Sequence, residues 1–385
     1  MIYFDNSATT YPKPNSVYSA VNNAVRQFGA NPGRSGHSMS LNSANQVYKC
    51  RERVATFFNA KNIENIIFTP SCTYSLNMVI KGLLNKGDHV VISNLEHNSV
   101  VRPLQQLSKK GVTYTVAEVV NGDFEKTVDN FRKAINQNTK LFAVTHTSNV
   151  TGDILPISRL SALAHQYDIK ILVDSAQSAG VLPIDVQDYN LDYLAVAGHK
   201  GLMGIMGIGV LYVKDIDTLE PLICGGTGSS SLEATQPDFS PDKFESGTCN
   251  LCGICGLEKG IDFVEKITTN NIYKHEFMLL SYLYNQLEKL KGVTIYTKKP
   301  VMNYNAPVLS FNILDLPSEY VAEILDKKYN IAVRAGLHCS PLAHKTLNTT
   351  KQGTVRVSLS YFNNKAEINN LIIAIKNILK NHIKK

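Results

Sequence analysis

The stretch "LAVAGHKGLMG" (Leu194–Gly204) runs from an apolar segment into a lysine flanked by a histidine and a glycine. An apolar run that breaks into a glycine-bounded polar turn reads as a buried strand with its functional loop at the carboxyl end. The pattern repeats outward from this point. "NIIFT", "DHVVIS", "VTYTVAEV", "KLFAVTH", "IKILVDS", "DYLAVAG" and "GIGVLYV" alternate with amphipathic stretches such as "SLNMVIKGLL" and "ISRLSALAHQY". Strands alternating with helices predict an α/β protein whose mainly parallel sheet is covered on both faces. After the Gly/Ser/Pro-rich loop Cys224–Lys243 come the helical "HEFMLLSYLYNQLEKL", the strand-like "APVLSFNIL" and "GTVRVSLSY", and a last helix. The expected division is a large domain over residues 15–262 and a smaller α+β domain formed by residues 1–14 and 263–385.

Composition limits what such a chain can be. The 385 residues are 44% hydrophobic and 18% charged, enough to build a large core, and no apolar run approaches the length of a bilayer crossing. The start "MIYFDNSATT" has no basic or apolar leader, and the expectation is a cytoplasmic protein with no membrane partner. Seven cysteines in a large chain of this kind point to free thiols rather than a disulfide framework. The net charge of +7 is dispersed and thickens only in the C-terminal "KNILKNHIKK". With no nucleic-acid-binding motif beside it, that stretch reads as a solvated helix end.

In an open α/β sheet, ligands collect beyond the carboxyl ends of the strands. The polar residues expected there are the hydroxyl-rich helix start "PSCTYS", His97 of "NLEHNS", Asn149 of "TSNVTG", Asp174 and Gln177 of "VDSAQSAG", and His199 with Lys200. A helix start lined by hydroxyls suits a phosphate. A carboxylate ending a nearly all-apolar strand calls for a cation. Lysine, buried acid and phosphate cradle together match what pyridoxal phosphate requires. Lys200 would form the Schiff base, Asp174 would keep the pyridine nitrogen protonated, and His97 would stack on the ring. The glycines around Lys200 are expected to let the backbone approach the cofactor.

At these residues the sequence resembles the class V aminotransferase family of fold-type I pyridoxal-phosphate enzymes, and within it the short-loop cysteine desulfurase and selenocysteine lyase group. The motifs are "YFDNSATT" (Tyr3–Thr10), "GANPGRSGH" (Gly29–His37), "EHNS" (Glu96–Ser99), "HTSNVTG" (His146–Gly152), "VDSAQSAG" (Val173–Gly180), "GHKG" (Gly198–Gly201), "ESGT" (Glu245–Thr248) and "VRAGLHC" (Val333–Cys339). The resemblance implies that Lys200 carries the cofactor, His97 stacks on it and Asp174 pairs with its ring nitrogen. It further implies Asn149 and Gln177 near the phenolic oxygen, Thr73 and His199 on the phosphate, and Thr248 reaching across from the other subunit of a homodimer. Arg356 would grip the substrate carboxylate as a bidentate fork, with Arg334 nearby.

Cys339, five residues after Arg334 in "RAGLHCSPLAH", separates a desulfurase from an ordinary aminotransferase. Its basic neighbours Arg334 and His338 are expected to favour the thiolate. The activity implied is conversion of L-cysteine to L-alanine, with a persulfide left on Cys339 for an acceptor protein. Selenocysteine lyase, another class V aminotransferase or lyase, and a catalytically idle cofactor-binding scaffold are the alternatives. Three places depart from the family pattern: Ala197 stands where a phosphate-binding hydroxyl is common, "TPSCTYS" lacks a glycine and an acid, and "GTCNLCGICG" carries Cys249, Cys252 and Cys255. That cysteine run is read as packing, with no metal expected.

Overall fold

The computed structural model describes residues 1–33 and 35–383. Arg34, inside the Gly29–His37 motif, and Lys384 and Lys385, which end the basic C-terminal stretch, lie outside the described residues. Strand β1 (Ile2–Tyr3) opens the chain, and seven strands follow between residues 66 and 213: β2 (Ile66–Thr69), β3 (His89–Ser93), β4 (Thr113–Ala117), β5 (Thr139–Thr145), β6 (Lys170–Asp174), β7 (Tyr193–Ala197) and β8 (Gly209–Val213). They form one sheet in the order β2-β8-β7-β6-β5-β3-β4, in which only β8 runs against its neighbours. The helices that precede or connect these strands are α1 (Asn15–Gln27), α2 (Ser38–Phe57), α3 (Cys72–Leu83), α4 (Asn98–Ser108), α5 (Phe124–Ala134) and α6 (Ile157–Gln166).

Helices on both faces explain why the inner strands β3, β7 and β8 are buried along their whole length. In β7 every residue is buried, and the alternation divides them: Leu194 and Val196 join the core that includes Leu160, Ile171 and Leu257, while Tyr193, Ala195 and Ala197 join the core that includes Leu76, Val79 and Leu104. A two-residue period with no polar face is the mark of a strand sandwiched between helical layers.

The remaining elements are α7 (Leu251–Ile267), α8 (Thr269–Leu287), β9 (Val293–Ile295), β10 (Val308–Ile313), α9 (Ser318–Tyr329), β11 (Ile331–Ala332), β12 (Arg334–Gly336), α10 (Pro341–Thr346), β13 (Thr354–Ser358) and α11 (Lys365–Ile383). An antiparallel sheet of order β12-β13-β10-β9 packs with α8, α9 and α11 around its own core of Leu283, Phe311, Val355 and Leu371. β1 pairs in parallel with β11, which ties the N-terminus to this unit. Among the described residues no helix is long and apolar enough to cross a membrane.

Two features position the site. β4 lies outside β3 and the chain then returns to place β5 on the other side of β3, so the loops after β3 and β5 diverge and leave a crevice at the carboxyl edge. In the small sheet, Arg334 stands directly opposite Arg356 in the β12–β13 register.

Candidate active site

Seven of the residues singled out from the sequence converge on one cavity. Thr73, His97, Asn149, Asp174, Gln177, His199 and Lys200 line a space of about 500 Å³, together with Ser71, Cys72, Ser99, Thr147 and Ala197. They arrive from the ends of β3, β5, β6 and β7 and from the start of α3.

At α3, Ser71 is the N-cap and its hydroxyl accepts from the Tyr74 amide. The first amides of any helix have no intrahelical acceptor, so this end offers donors to the cavity. Thr73 Oγ1 lies 2.8 Å from Ser99 Oγ, which lies 2.9 Å from His97 Nδ1. The Ser99 amide donates to the same Nδ1 at 3.1 Å, making His97 the N-cap of α4. An Nδ1 that accepts places the proton on Nε2, and burial lowers the pKa of the ring. His97 therefore presents a neutral aromatic face.

Asp174 ends β6, is 5% exposed, and accepts from the Ala176 amide at 2.9 Å and from the Cys72 thiol at 3.4 Å. Burial, and then Asp174 itself, push the Cys72 thiol well above its ordinary pKa. Cys72 is thus a neutral donor to the acid. Lys200 faces the same space; burial lowers its pKa and the charge of Asp174 works against that shift. Gln177 Nε2 donates to the Ser7 carbonyl at 3.1 Å, which brings the N-terminal segment to the wall.

The glycines beside Lys200 have a different purpose from the one expected. A Cβ on Gly201 would lie 2.3 Å from the Ala179 carbonyl oxygen, and one on Gly198 would lie 2.8 Å from Ile208 Cγ2. The space a side chain would need is taken by protein. These glycines let the Lys200 turn press against the β6 loop and β8, which corrects the expectation that they admit a cofactor.

Cys339 opens onto a groove of about 710 Å³ beside the cavity, and the two share Thr73, His97 and Ser99. Arg334 Nη2 lies 3.6 Å from Cys339 Sγ. His338 does not act as the second cation expected: it is 2% exposed, its Nε2 lies 3.1 Å from both the carbonyl and the hydroxyl of Thr354, and burial brings its pKa down to about 2. It is neutral at any working pH, so Arg334 is left as the positive neighbour. The turn itself is strained. His338 and Cys339 have φ of 48° and 59°, a left-handed conformation that costs a non-glycine residue about 1–2 kcal/mol.

Arg356 is fully buried behind Asn149 rather than on the cavity wall. Its Nη1 donates to the Asn149 carbonyl at 3.0 Å and its Nη2 pairs with Asp5 at 2.7 Å, while Nε has no partner. Thr248 lies in a separate cavity of about 620 Å³ with Phe68, Tyr74, Glu245 and Asn250. The "ESGT" segment is fastened there through Glu245, which pairs with Arg51 at 2.7 Å and accepts from the Phe68 amide. In the cysteine run, Cys255 is buried and Cys252 half-buried on α7. Among the described residues no three His, Cys, Asp or Glu side chains are placed to hold a metal.

Sequence reading missed Cys72, Thr147, Lys13 and Asp5. Lys13 Nζ donates to the His199 carbonyl at 2.6 Å, and burial lowers its pKa to about 8. The lysine of "YPKP" has no local pattern that would reveal this.

The donor set passes a test for pyridoxal phosphate on its own terms. Thr147 Oγ1 and His199 Nδ1 are buried cavity atoms without hydrogen-bond partners, and buried polar atoms are rarely left so unless a ligand completes them. Burial brings His199 down to about 4, which makes it a neutral donor or acceptor. A lysine amine, a carboxylate, an aromatic face and an open helix start complete the requirements.

Comparison with known proteins agrees with this geometry. The model of the family described as aminotransferase class-V matches residues 2–371. A probable cysteine desulfurase of Methanothermobacter thermautotrophicus is 36% identical over 378 residues, covering 95% of this chain and 92% of that relative. One from Halalkalibacterium halodurans is 35% identical over 381 residues, covering 96% and 91%. The apo structure of a cysteine desulfurase from Thermococcus onnurineus NA1 superposes with a TM-score of 0.91 at 34% identity, over 99% of this chain and 95% of that one. With the site at the switch point of a mainly parallel sheet and the match running almost end to end, the chain belongs to the class V aminotransferase family.

Proposed function

We propose that this protein is a pyridoxal-phosphate-dependent cysteine desulfurase, converting L-cysteine to L-alanine and retaining the sulfur as a persulfide on Cys339. The observation that carries the reading is the groove of Cys339 adjoining the cavity of Lys200 and Asp174, with Thr73, His97 and Ser99 lining both. A thiol beside such a cavity has no purpose in simple amino transfer.

When bound, pyridoxal phosphate supplies an electron sink for charge left at the substrate Cα. Lys200 would hold it and later move the Cα proton with the freed amine, whose burial-lowered pKa suits proton transfer. Asp174 would hold the protonated ring nitrogen, and His97 would stack on the ring. Thr73, His199 and the start of α3 would hold the phosphate, with Asn149 and Gln177 at the phenolic edge. Ala197, 3% exposed on the wall, contributes no hydroxyl to that phosphate. Arg356, whose buried Nε has no partner, would meet the substrate carboxylate, helped by Arg334 across the register.

Cys339 Sγ, 3.6 Å from Arg334 Nη2, then attacks the substrate sulfur. The Sγ–S bond forms and the substrate Cβ–S bond breaks; the electron pair stays with carbon, which takes up a proton and leaves as alanine. The position of Cys339 on an open groove supports transfer of the outer sulfur to an acceptor protein. Thr248 has its own cavity away from Lys200, and this supports its service to the partner subunit's cofactor in a homodimer. Thiol and persulfide chemistry fits a reducing cytoplasm. The separate core of the small sheet supports a small domain of residues 1–14 and 263–385 beside a large one of 15–262.

The test is direct. Given L-cysteine and a reductant, the wild-type protein should release alanine and sulfide in equal amounts. Cys339→Ser should keep the cofactor's visible absorption and lose alanine release by roughly a hundredfold or more, while Lys200→Ala should lose the absorption and remain folded. A Cys339→Ser protein that desulfurates at the wild-type rate sinks the reading. Alanine from L-selenocysteine but not from L-cysteine would move the assignment to selenocysteine lyase.

A further inference from the structure

The Cys339 turn holds two successive residues in left-handed backbone conformation, and neither is glycine. Such a conformation persists only where the surroundings over-determine it, so the question is what holds it. Three hydrogen bonds answer. Asn149 Nδ2 donates to the His338 carbonyl at 2.8 Å, the Ser340 hydroxyl donates to Asn149 Oδ1 at 2.7 Å, and the Asn98 amide donates to the Cys339 carbonyl at 2.7 Å. Asn149 thus grips the residues on either side of Cys339 with the two ends of one amide. Asn98 follows His97 at the start of α4, so both anchors belong to the cavity rim. Ser340 is fully buried and Asn149 is 8% exposed, which removes water as a competitor for these bonds.

Resting on the desulfurase reading, we propose that Asn149 and Ser340 form a clasp that positions the Cys339 thiol against Arg334. Asn149 also accepts from Arg356 through its backbone carbonyl. One residue therefore joins the cavity it lines, the arginine behind it and the thiol turn. Ser340 is a positioning residue, acting through Asn149 on the backbone of residues 338 and 339. The clasp needs only one of the two Nδ2 hydrogens, and the other remains for a group in the cavity.

Ser340→Ala removes the hydroxyl without substituting any residue that lines the cavity. Two readouts are taken: steady-state desulfuration by the holoenzyme, and iodoacetamide labelling of the Cys339 peptide, followed by mass spectrometry with and without bound cofactor. Ser340→Ala should lower kcat roughly tenfold with KM for L-cysteine and cofactor absorption little changed. Labelling at pH 7 should slow by roughly threefold as Sγ leaves the guanidinium, and Ser340→Thr, which keeps the hydroxyl, should restore both. If Ser340→Ala does not fold, Asn149→Asp, which cannot donate to the His338 carbonyl, should give the same slowing. Wild-type labelling and kcat in a folded Ser340→Ala protein would overturn the clasp, as would a loss of thermal stability with no change in labelling. The labelling arm needs no turnover, so it separates failure of the clasp from failure of the desulfurase reading.

Discussion

Asp5 shows how much a single residue can carry without a local signal. Its carboxylate is the partner of a fully buried guanidinium at 2.7 Å, 351 positions away in the chain. Burial lowers the pKa of Arg356 to about 10, and Asp5 works against that shift. Removing one member of a buried pair strands the other. Asp5→Asn should therefore lower the unfolding free energy by about 3 kcal/mol, measured by urea denaturation at pH 7. A loss below about 1 kcal/mol would mean that the Asn149 carbonyl alone satisfies the charge. Burial likewise divides the two neighbours of Cys339: an expected pair of cations becomes one arginine and one neutral histidine, because His338 is 2% exposed.

At the level of elements, the site depends on how closely its loops approach one another. The Lys200 turn and the loop after β6 meet backbone to backbone: a Cβ on Gly180 would lie 2.3 Å from the Gly201 carbonyl oxygen, and one on Gly201 would lie 2.3 Å from that of Ala179. Gly180 also has φ of 83°, which other residues avoid. Gly201→Ala should cost about 3 kcal/mol of stability by overpacking against carbonyls that cannot move aside, and should weaken cofactor retention because the Lys200 turn is displaced. Differential scanning calorimetry and cofactor absorbance after dialysis would check both, and a variant with wild-type values would show that the turn can shift freely.

For the whole molecule, the buried titratable groups set the pH range of stability. Burial holds His146, His199 and His344 at about 4 and His338 at about 2, against an ordinary 6.5. The unfolded chain therefore binds more protons than the folded one between those values and 6.5. The contribution of these histidines is complete above pH 6.5 and is lost as the pH falls toward 4. Glu96 has the opposite sign: burial raises it to about 8 from 4.5, so its contribution is complete below 4.5 and is lost as the pH rises through 8. Between pH 7 and pH 5 the two signs oppose each other, because Glu96, Asp153 and Glu276, all raised by burial, gain stability as the histidines lose it. Glu96→Gln should lessen the loss between pH 7 and 9 by about 1 kcal/mol or more, and an unaltered alkaline slope would show that Glu96 ionises without cost. β7 and β6 were legible as strands, and Asp174, His199 and Lys200 as rim residues, because burial on both faces leaves an apolar run and a polar ending in consecutive positions. Local pattern alone carried the α/β sheet and the polar ends of its strands. It could not report that Asp5 meets Arg356, that Cys72 meets Asp174, that Asn149 bonds Ser340 from 191 positions away, or that His338 is neutral, all of which follow from the fold. Periodicity records what each segment does with water, whereas these contacts depend on which segments the fold brings together.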